Sequence, residues 1–121
     1  MDNKKKILTE ERRKSKRIPQ SLNVIRCSTK YLFERHYLSR DISEDGICLL
    51  TETKMEIGEI IELGIILSED KEPLKTKGKI LRRNETNDPK YPFLVGIEFV
   101  DIPKETHQEI KKHLKYYILK E

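Results

Sequence analysis

Tryptophan is absent from the 121 residues, and no apolar run approaches the ~20 residues that a membrane-spanning helix requires. The first six residues lead into only two apolar side chains, Ile7 and Leu8, a run too short for a secretory signal peptide. We therefore expect a cytoplasmic protein that does not insert into a membrane. At this length the chain is expected to form one domain with a single core.

Cysteine, histidine and glycine are too few and too scattered to suggest common catalytic or metal sites. Cys27 and Cys48 are twenty-one residues apart in apolar stretches, which favours buried side chains over metal ligands. His107 and His113 are six residues apart and would face different sides of a helix, and His36 is the third histidine. The five glycines form no phosphate-binding loop. The sequence predicts no enzyme, no catalytic residue and no bound metal.

Positive charge is concentrated at the start of the chain. Residues 1–17 hold eight Lys or Arg and three Asp or Glu, which leaves seventeen basic and eighteen acidic side chains in residues 18–121. A body without excess charge has no general attraction for anions, so an anionic partner is expected to meet the protein at this arm. Arginine can grip a phosphate or a purine edge with two parallel hydrogen bonds, which makes Arg13 and Arg17 the candidates.

Six stretches have the composition and alternation of β-strands. They are residues 21–27, 31–39, 47–50, 60–67, 74–83 and 91–100. Polar, turn-rich segments separate them, including a predicted loop over residues 40–46. The interior Gly64 predicts a bulge or a sharp bend. Pro19 favours an extended Ile18, so the arm is expected to hinge near these two residues.

A different period begins after Asp101. The apolar residues Ile110, Leu114, Tyr117 and Ile118 recur as one face of an amphipathic helix over about residues 102–120. The predicted fold is mainly β, a six-stranded antiparallel barrel with a C-terminal amphipathic α-helix. The expected organisation is a flexible basic arm over residues 1–18, followed by the barrel and helix over residues 19–121.

Two polar clusters are set against this framework. One is Arg13-x-x-x-Arg17 on the arm, and the other is Asp41-x-Ser43-x-x-Gly46 between the second and third strands. Each has an ordinary alternative, because basic arms are usually solvated and Asp or Ser commonly closes a turn. At Gly46 the missing side chain permits a close backbone approach or a sharp turn.

With both clusters present, the sequence resembles the PilZ domain family, whose members bind the bacterial second messenger cyclic di-GMP. The family's RxxxR and [D/N]xSxxG boxes are both intact here. The surroundings also agree, in Glu11-Arg12-Arg13, in Arg17-Ile18-Pro19 and in Val95-Gly96-Ile97-Glu98-Phe99. The likeness covers about residues 11 to 118.

The resemblance implies a cyclic di-GMP site rather than a site for a cofactor. Its expected ligand-binding residues are Arg12, Arg13, Arg17, Asp41, Ser43 and Gly46. Arg40, Arg82 and Arg83 are possible additional contacts, although each is equally explained as surface charge. The chemistry fits, since arginine matches the O6 and N7 acceptors of guanine and a carboxylate can accept from its N1 and N2 donors.

The function that the resemblance implies is a receptor that orders its arm on binding cyclic di-GMP and signals to a downstream protein. Control of motility, adhesion or biofilm formation is the expected output. A second hypothesis is a small β-barrel that binds single-stranded nucleic acid through its basic arm and stacking aromatics. A third is a PilZ domain that binds no nucleotide and acts only in protein interaction.

Overall fold

The computed structural model describes residues 17–27 and 35–120 of the chain. Two predicted ligand-binding residues, Arg12 and Arg13, lie outside these residues, as does the first half of the predicted second strand. Within the described residues the chain forms seven strands and one helix. The elements are β1 (Ile18–Pro19), β2 (Asn23–Cys27), β3 (Arg35–Ile42), β4 (Gly46–Thr51), β5 (Ile60–Ile66), β6 (Leu74–Glu85), β7 (Phe93–Val100) and α1 (Lys104–Lys120).

The strands form one antiparallel sheet that closes on itself. Its order is β1-β3-β2-β5-β6-β7-β4, and a further pairing of β3 with β4 completes a barrel of the six strands β2 to β7. The predicted six-stranded antiparallel barrel with a C-terminal helix is thereby confirmed. The two-residue β1, absent from the prediction, pairs with the end of β3, where Ile18 lies opposite Ile42.

Five isoleucines form one row across the inside of the barrel. Ile18, Ile42, Ile47, Ile97 and Ile80 lie opposite one another on β1, β3, β4, β7 and β6, and none is more than 3% exposed. Directly opposed residues of an antiparallel sheet project from the same face, so this row fixes which face is the core. Residues one step along each strand must then face outward.

Helix α1 closes the core with the apolar face that the sequence predicts. Ile110 and Leu114 are buried in the same hydrophobic cluster as the barrel interior, and Tyr117 packs against it. The Thr106 hydroxyl donates a hydrogen bond of 2.9 Å to the Lys75 carbonyl on β6. Among the described residues, no helix is long and apolar enough to cross a membrane.

Two β-bulges interrupt the regular alternation. Arg40 is an extra residue in β3 between Ser39 and Asp41, and Leu81 is an extra residue in β6 between Ile80 and Arg82. The predicted loop over residues 40–46 is wrong in its first half, because β3 continues to Ile42. The bulge predicted at Gly64 is also wrong, since both ladders of β5 pass through it without a shift.

Candidate functional site

The candidate site is a second row of residues, on the outer face beside the isoleucines. Pro19, Asp41, Cys48, Gly96 and Arg82 lie opposite one another on β1, β3, β4, β7 and β6. The row therefore carries a carboxylate towards one end, a guanidinium at the other, and a small thiol and a glycine between them.

The two bulges are what turn the charged residues of this row outward. Strict alternation from the buried Ser39 would point Asp41 into the barrel, and alternation from Ile80 would do the same to Arg82. One inserted residue before each of them reverses the face, which is a recognised effect of bulges beside binding sites. The charged side chains thus face solvent without displacing the isoleucine core.

Gly96 provides the flat floor on which Arg82 lies. A Cβ built at Gly96 would be 2.7 Å from Nε and 2.8 Å from Cγ of Arg82, so the arginine side chain crosses directly over the glycine backbone. In the sequence, Gly96 stands out only as part of the late-strand motif, which does not assign it to the site. That motif was the available signal, since a glycine inside a strand often marks the close approach of another group.

Replacement of Gly96 by alanine is expected to move Arg82 while sparing the fold. The atoms that a methyl group would meet belong to a flexible side chain, which can swing away. We expect the free energy of unfolding to change by less than about 1 kcal/mol, as for most substitutions outside the core. If Arg82 binds the ligand, its displacement lowers the affinity about tenfold, measurable by calorimetry. Unchanged affinity would exclude Arg82 from the site.

A groove of about 410 Å³ lies at the Gly96–Arg82 end of this row, within the size range of ligand pockets. Its lining combines two guanidinium groups, two carboxylates and the exposed apolar side chain of Leu81. The lining residues are Arg17, Asp45, Leu81, Arg82, Gly96, Ile97, Glu98 and Phe99. Such a surface offers donors, acceptors and an apolar contact at once.

An ion pair joins the two predicted boxes. Arg17 Nη1 lies 2.7 Å from Asp41 Oδ1, although the two residues are twenty-four positions apart in the chain. The side chains of Arg17 and Asp41 are 43% and 23% exposed. A pair this accessible to water contributes only about 0–1 kcal/mol to stability, so a ligand can replace it at little cost.

Ser43 shapes the turn that follows Asp41. Its hydroxyl accepts hydrogen bonds from the amides of Asp45 (3.3 Å) and Gly46 (3.2 Å), and its own amide donates to the Gly46 carbonyl (2.9 Å). Ser43 is only 1% exposed. The Phe99 amide donates to the Asp45 carbonyl at 2.8 Å, which fixes the turn against β7. The ordinary turn-forming role considered for Ser43 is therefore present in the structure.

Gly46 is required by a close backbone contact rather than by a left-handed conformation. A Cβ at this position would lie 2.3 Å from the Ile97 carbonyl oxygen on β7. The positive φ angles among the described residues belong to Gly58 and Asp101. Of the two explanations open for Gly46, close approach is the one that the geometry supports.

The three additional arginines have different surroundings. Arg82 lines the groove, and Arg40 is the exposed bulge residue next to Asp41. Arg83 lies opposite the buried Val95 and donates from Nη1 to the Met55 carbonyl, which places it away from the groove. The structure thus brings Arg17, Arg40, Arg82 and Asp41 together and leaves Arg83 outside.

The buried thiol of Cys48 lies in the row between Asp41 and Gly96, next to the charged side chains of the site. Burial raises its pKa, and the Asp41 carboxylate raises it further, whereas the charges of Arg82, Arg40 and Arg17 act in the opposite direction. Burial prevails, so the pKa of the Cys48 thiol lies above its ordinary value. Among the described residues, no group of His, Cys, Asp and Glu side chains could hold a metal ion.

Helix α1 contacts both segments that carry the site residues. His113 Nε2 lies 2.7 Å from Oε1 of Gln20, three residues beyond Arg17, and His107 Nε2 lies 3.4 Å from Oε1 of Glu44 in the turn. Burial, with a smaller effect of Lys71, lowers the pKa of His113. Because the Gln20 amide is uncharged, its contact with His113 is a hydrogen bond in which Oε1 accepts.

Comparison with known proteins gives a family and a fold. A family model described as PilZ domain matches residues 11–116. No curated protein matches the chain. Solved structures with the same fold include the inhibitor of motility MotI/DgrA of Bacillus subtilis, with a TM-score of 0.73 and 22% identity over 91% of this chain and 53% of that one.

Two further similar structures are described as complexes with cyclic di-GMP. YcgR of Escherichia coli has a TM-score of 0.73 and 10% identity, over 90% of this chain and 47% of YcgR. MrkH of K. pneumonia has a TM-score of 0.74 and 16% identity, over 89% of this chain and 53% of MrkH. The chain spans about half the length of these three proteins.

Proposed function

The chain belongs to the PilZ domain family, and we propose from this membership that it is a cyclic di-GMP receptor that signals to a downstream protein. The structures described as cyclic di-GMP complexes support the ligand, and the description of MotI/DgrA as an inhibitor of motility supports an adaptor role. Motility, adhesion or biofilm control is the output proposed here.

The observation that carries the proposal is the Arg17–Asp41 ion pair beside a groove that also contains Arg82. Cyclic di-GMP presents two phosphates and two guanines, so a receptor needs cationic forks and acceptors side by side. Arginine is the best-matched partner for O6 and N7 of guanine, and the Asp41 carboxylate can accept from N1 and N2. Gly96 leaves room for the Arg82 side chain to lie across the floor of the groove.

Binding proceeds by exchange of the ion pair for contacts with the ligand. Arg17 turns from Asp41 to a phosphate or a guanine edge, and Asp41 turns to the other guanine edge. Each charge-assisted hydrogen bond contributes about 1.5–3 kcal/mol, more than the exposed ion pair that it replaces. Ser43 and Gly46 act indirectly, because they hold the turn that presents Asp41.

The part of the basic arm that precedes Arg17 closes over the bound ligand through Arg12 and Arg13, whereas Ile18 is already paired with Ile42. Fixing an arm costs about 1–2 kcal/mol per residue, so only a ligand that makes several contacts can hold it closed. The closed arm presents a surface that differs from that of the free protein. A downstream protein recognises this difference.

Calorimetric titration of the wild-type protein tests the function directly. We expect saturable binding of cyclic di-GMP at micromolar protein and much weaker binding of GMP, which offers only half of the contacts. An oligonucleotide titrated at two salt concentrations provides the comparison. The protein would instead be a nucleic-acid-binding module if it binds the oligonucleotide, with an affinity that falls steeply as salt increases, and does not bind cyclic di-GMP. Absence of heat with every ligand would indicate a protein-interaction domain.

A further inference from the structure

The second guanine of cyclic di-GMP needs an acceptor of its own. Asp41 can accept from N1 and N2 of one guanine, whereas the guanidinium groups of Arg17 and Arg82 have no acceptor atoms. Two further carboxylates line the groove, on Asp45 and Glu98. Asp45 lies in the turn before β4, and Glu98 is an exposed residue of β7. The position of Glu98 on the sheet makes it the stronger candidate.

The sheet register turns the Glu98 side chain outward and leaves one side of it open. Glu98 follows Gly96 by two residues on β7, so both face outward. Its neighbour across the β4–β7 ladder is Gly46, which has no side chain, and its neighbour across the β6–β7 ladder is Lys79. Glu98 is about 7 Å from Gly96 along β7, and Gly96 is two strands, or about 10 Å, from Asp41. The two carboxylates are thus separate acceptors on one outer face, far enough apart for two bases.

The charged groups around Glu98 are three cations and one further carboxylate. Lys79 lies directly opposite on β6, and Arg17, Arg82 and Asp45 line the same groove. Within the part of the chain that the structure describes, the Glu98 carboxylate has no hydrogen bond or ion pair. An exposed glutamate–lysine contact across a ladder contributes little stability, so Lys79 does not hold the carboxylate away from a ligand. The carboxylate is available as an acceptor, and the cations offset its charge beside the ligand's phosphates.

We propose that Glu98 binds the second guanine of cyclic di-GMP by accepting hydrogen bonds from its N1 and N2 donors. This inference rests on the proposed function and makes the site selective for two guanines, one at Asp41 and one at Glu98. The exposed Leu81 side chain in the same groove offers an apolar contact to the face of this base. Adenine has an acceptor at N1 where guanine has a donor, so a carboxylate repels that edge of adenine.

Titration of Glu98→Gln with two cyclic dinucleotides tests the proposal. One ligand is cyclic di-GMP, and the other is cyclic GMP-AMP, in which adenine replaces one guanine. The wild type is expected to bind cyclic di-GMP about tenfold more tightly than the mixed ligand, because the mixed ligand offers a guanine to only one carboxylate. In Glu98→Gln this ratio is expected to fall below about threefold, because an amide can bond to adenine as well as to guanine.

The ratio of the two affinities is the readout, because it separates hydrogen bonding from charge. Loss of the negative charge of Glu98 favours both ligands equally, since both carry the same two phosphates. Glu62→Gln is the matched control. Glu62 is exposed on β5 opposite Lys77, as Glu98 is opposite Lys79, and it lies outside the groove lining. The ratio in Glu62→Gln is expected to equal that of the wild type.

The other outcomes overturn the inference. A ratio that stays at its wild-type value in Glu98→Gln, or a wild type that binds both ligands equally, does so while the receptor function stands. An equal fall in Glu62→Gln would show a general effect of charge. A fall in Asp45→Asn in place of Glu98→Gln would assign the second guanine to Asp45. Failure of the wild type to bind cyclic di-GMP overturns the receptor function as well.

Discussion

Alanine at position 46 is expected to lower the free energy of unfolding by about 3 kcal/mol and to abolish measurable binding of cyclic di-GMP. The added methyl group would lie 2.3 Å from the Ile97 carbonyl oxygen, and this backbone atom cannot rotate away as a side chain would. Overpacking lowers the free energy of unfolding by about 1–3 kcal/mol. We expect a value at the upper end of this range, because the Ile97 backbone is a rigid neighbour. Chemical denaturation and calorimetry measure the two effects.

The loss of binding follows from the position of Gly46 in the turn. Its amide donates to the Ser43 hydroxyl and its carbonyl accepts from the Ser43 amide, so separation of β4 from β7 also disturbs the turn. Asp41, two residues before Ser43, then loses the support that holds its carboxylate beside Arg17. Stability and binding are thus expected to fall together.

Gly58→Ala is the matched control. Gly58 has a φ of 92°, and among the described residues beyond its chain neighbours nothing lies within 4 Å of a Cβ added there, so alanine meets strain but no clash. We expect a cost of about 1–2 kcal/mol without any loss of affinity for cyclic di-GMP. Wild-type stability in Gly46→Ala would show that β4 and β7 can separate freely. The close-approach explanation would then be wrong.

Local patterns were sufficient to predict the barrel strands and the helix. Strand alternation and turn residues are properties of neighbouring positions, and Ile110 and Leu114 recur at the period of a helix. The two boxes around Arg17 and Asp41 were also readable, because each lies within six consecutive residues. What they bind came from the resemblance to a family rather than from periodicity.

The bulges at Arg40 and Leu81 could not be predicted from local patterns. A bulge depends on the register with a strand far away in sequence, and one inserted residue exchanges the two faces. From the sequence alone, Arg82 and Arg83 are therefore equivalent candidates. The bulge before Arg82 separates them, since it turns Arg82 towards the groove and Arg83 towards Met55.

The contacts of Gly96 and Arg17 cannot be predicted from the sequence for a related reason. Gly96 meets Arg82 across the β6–β7 ladder, and Arg17 meets Asp41 across the pairing of β1 with β3. The two-residue β1 is too short to give an alternating pattern, so nothing in its sequence predicts a strand. Its pairing is what brings the two boxes to one place.

Arg17→Ala and Asp41→Ala are each expected to lower the affinity for cyclic di-GMP by about tenfold to a hundredfold. Each substitution removes one or two charge-assisted hydrogen bonds of about 1.5–3 kcal/mol, less what is recovered because the free protein no longer has an ion pair to break. The folded state loses only an exposed pair, so the free energy of unfolding should change by no more than about 1 kcal/mol. Calorimetry measures the affinity, and chemical denaturation measures the free energy of unfolding.

The double variant distinguishes exchange of the ion pair from its retention. If the ion pair is exchanged for ligand contacts, neither single variant has an ion pair to break when it binds the ligand. Each single variant therefore recovers the free energy of breaking the pair, whereas the double variant recovers the same free energy only once. Its loss of affinity should therefore exceed the product of the single losses, by up to about fivefold for a pair worth about 1 kcal/mol. If the pair instead persists and binds as a unit, the double variant loses less than that product.

Arg83→Ala is the matched arginine control for this cycle, because the Arg83 guanidinium bonds to the Met55 carbonyl outside the groove. Its affinity for cyclic di-GMP should stay within about twofold of wild type, since no charge-assisted bond to the ligand is lost. A loss in Arg83→Ala equal to that in Arg17→Ala would show that the ligand lies elsewhere on the barrel. Retained affinity in both Arg17→Ala and Asp41→Ala would remove the groove as the binding site altogether.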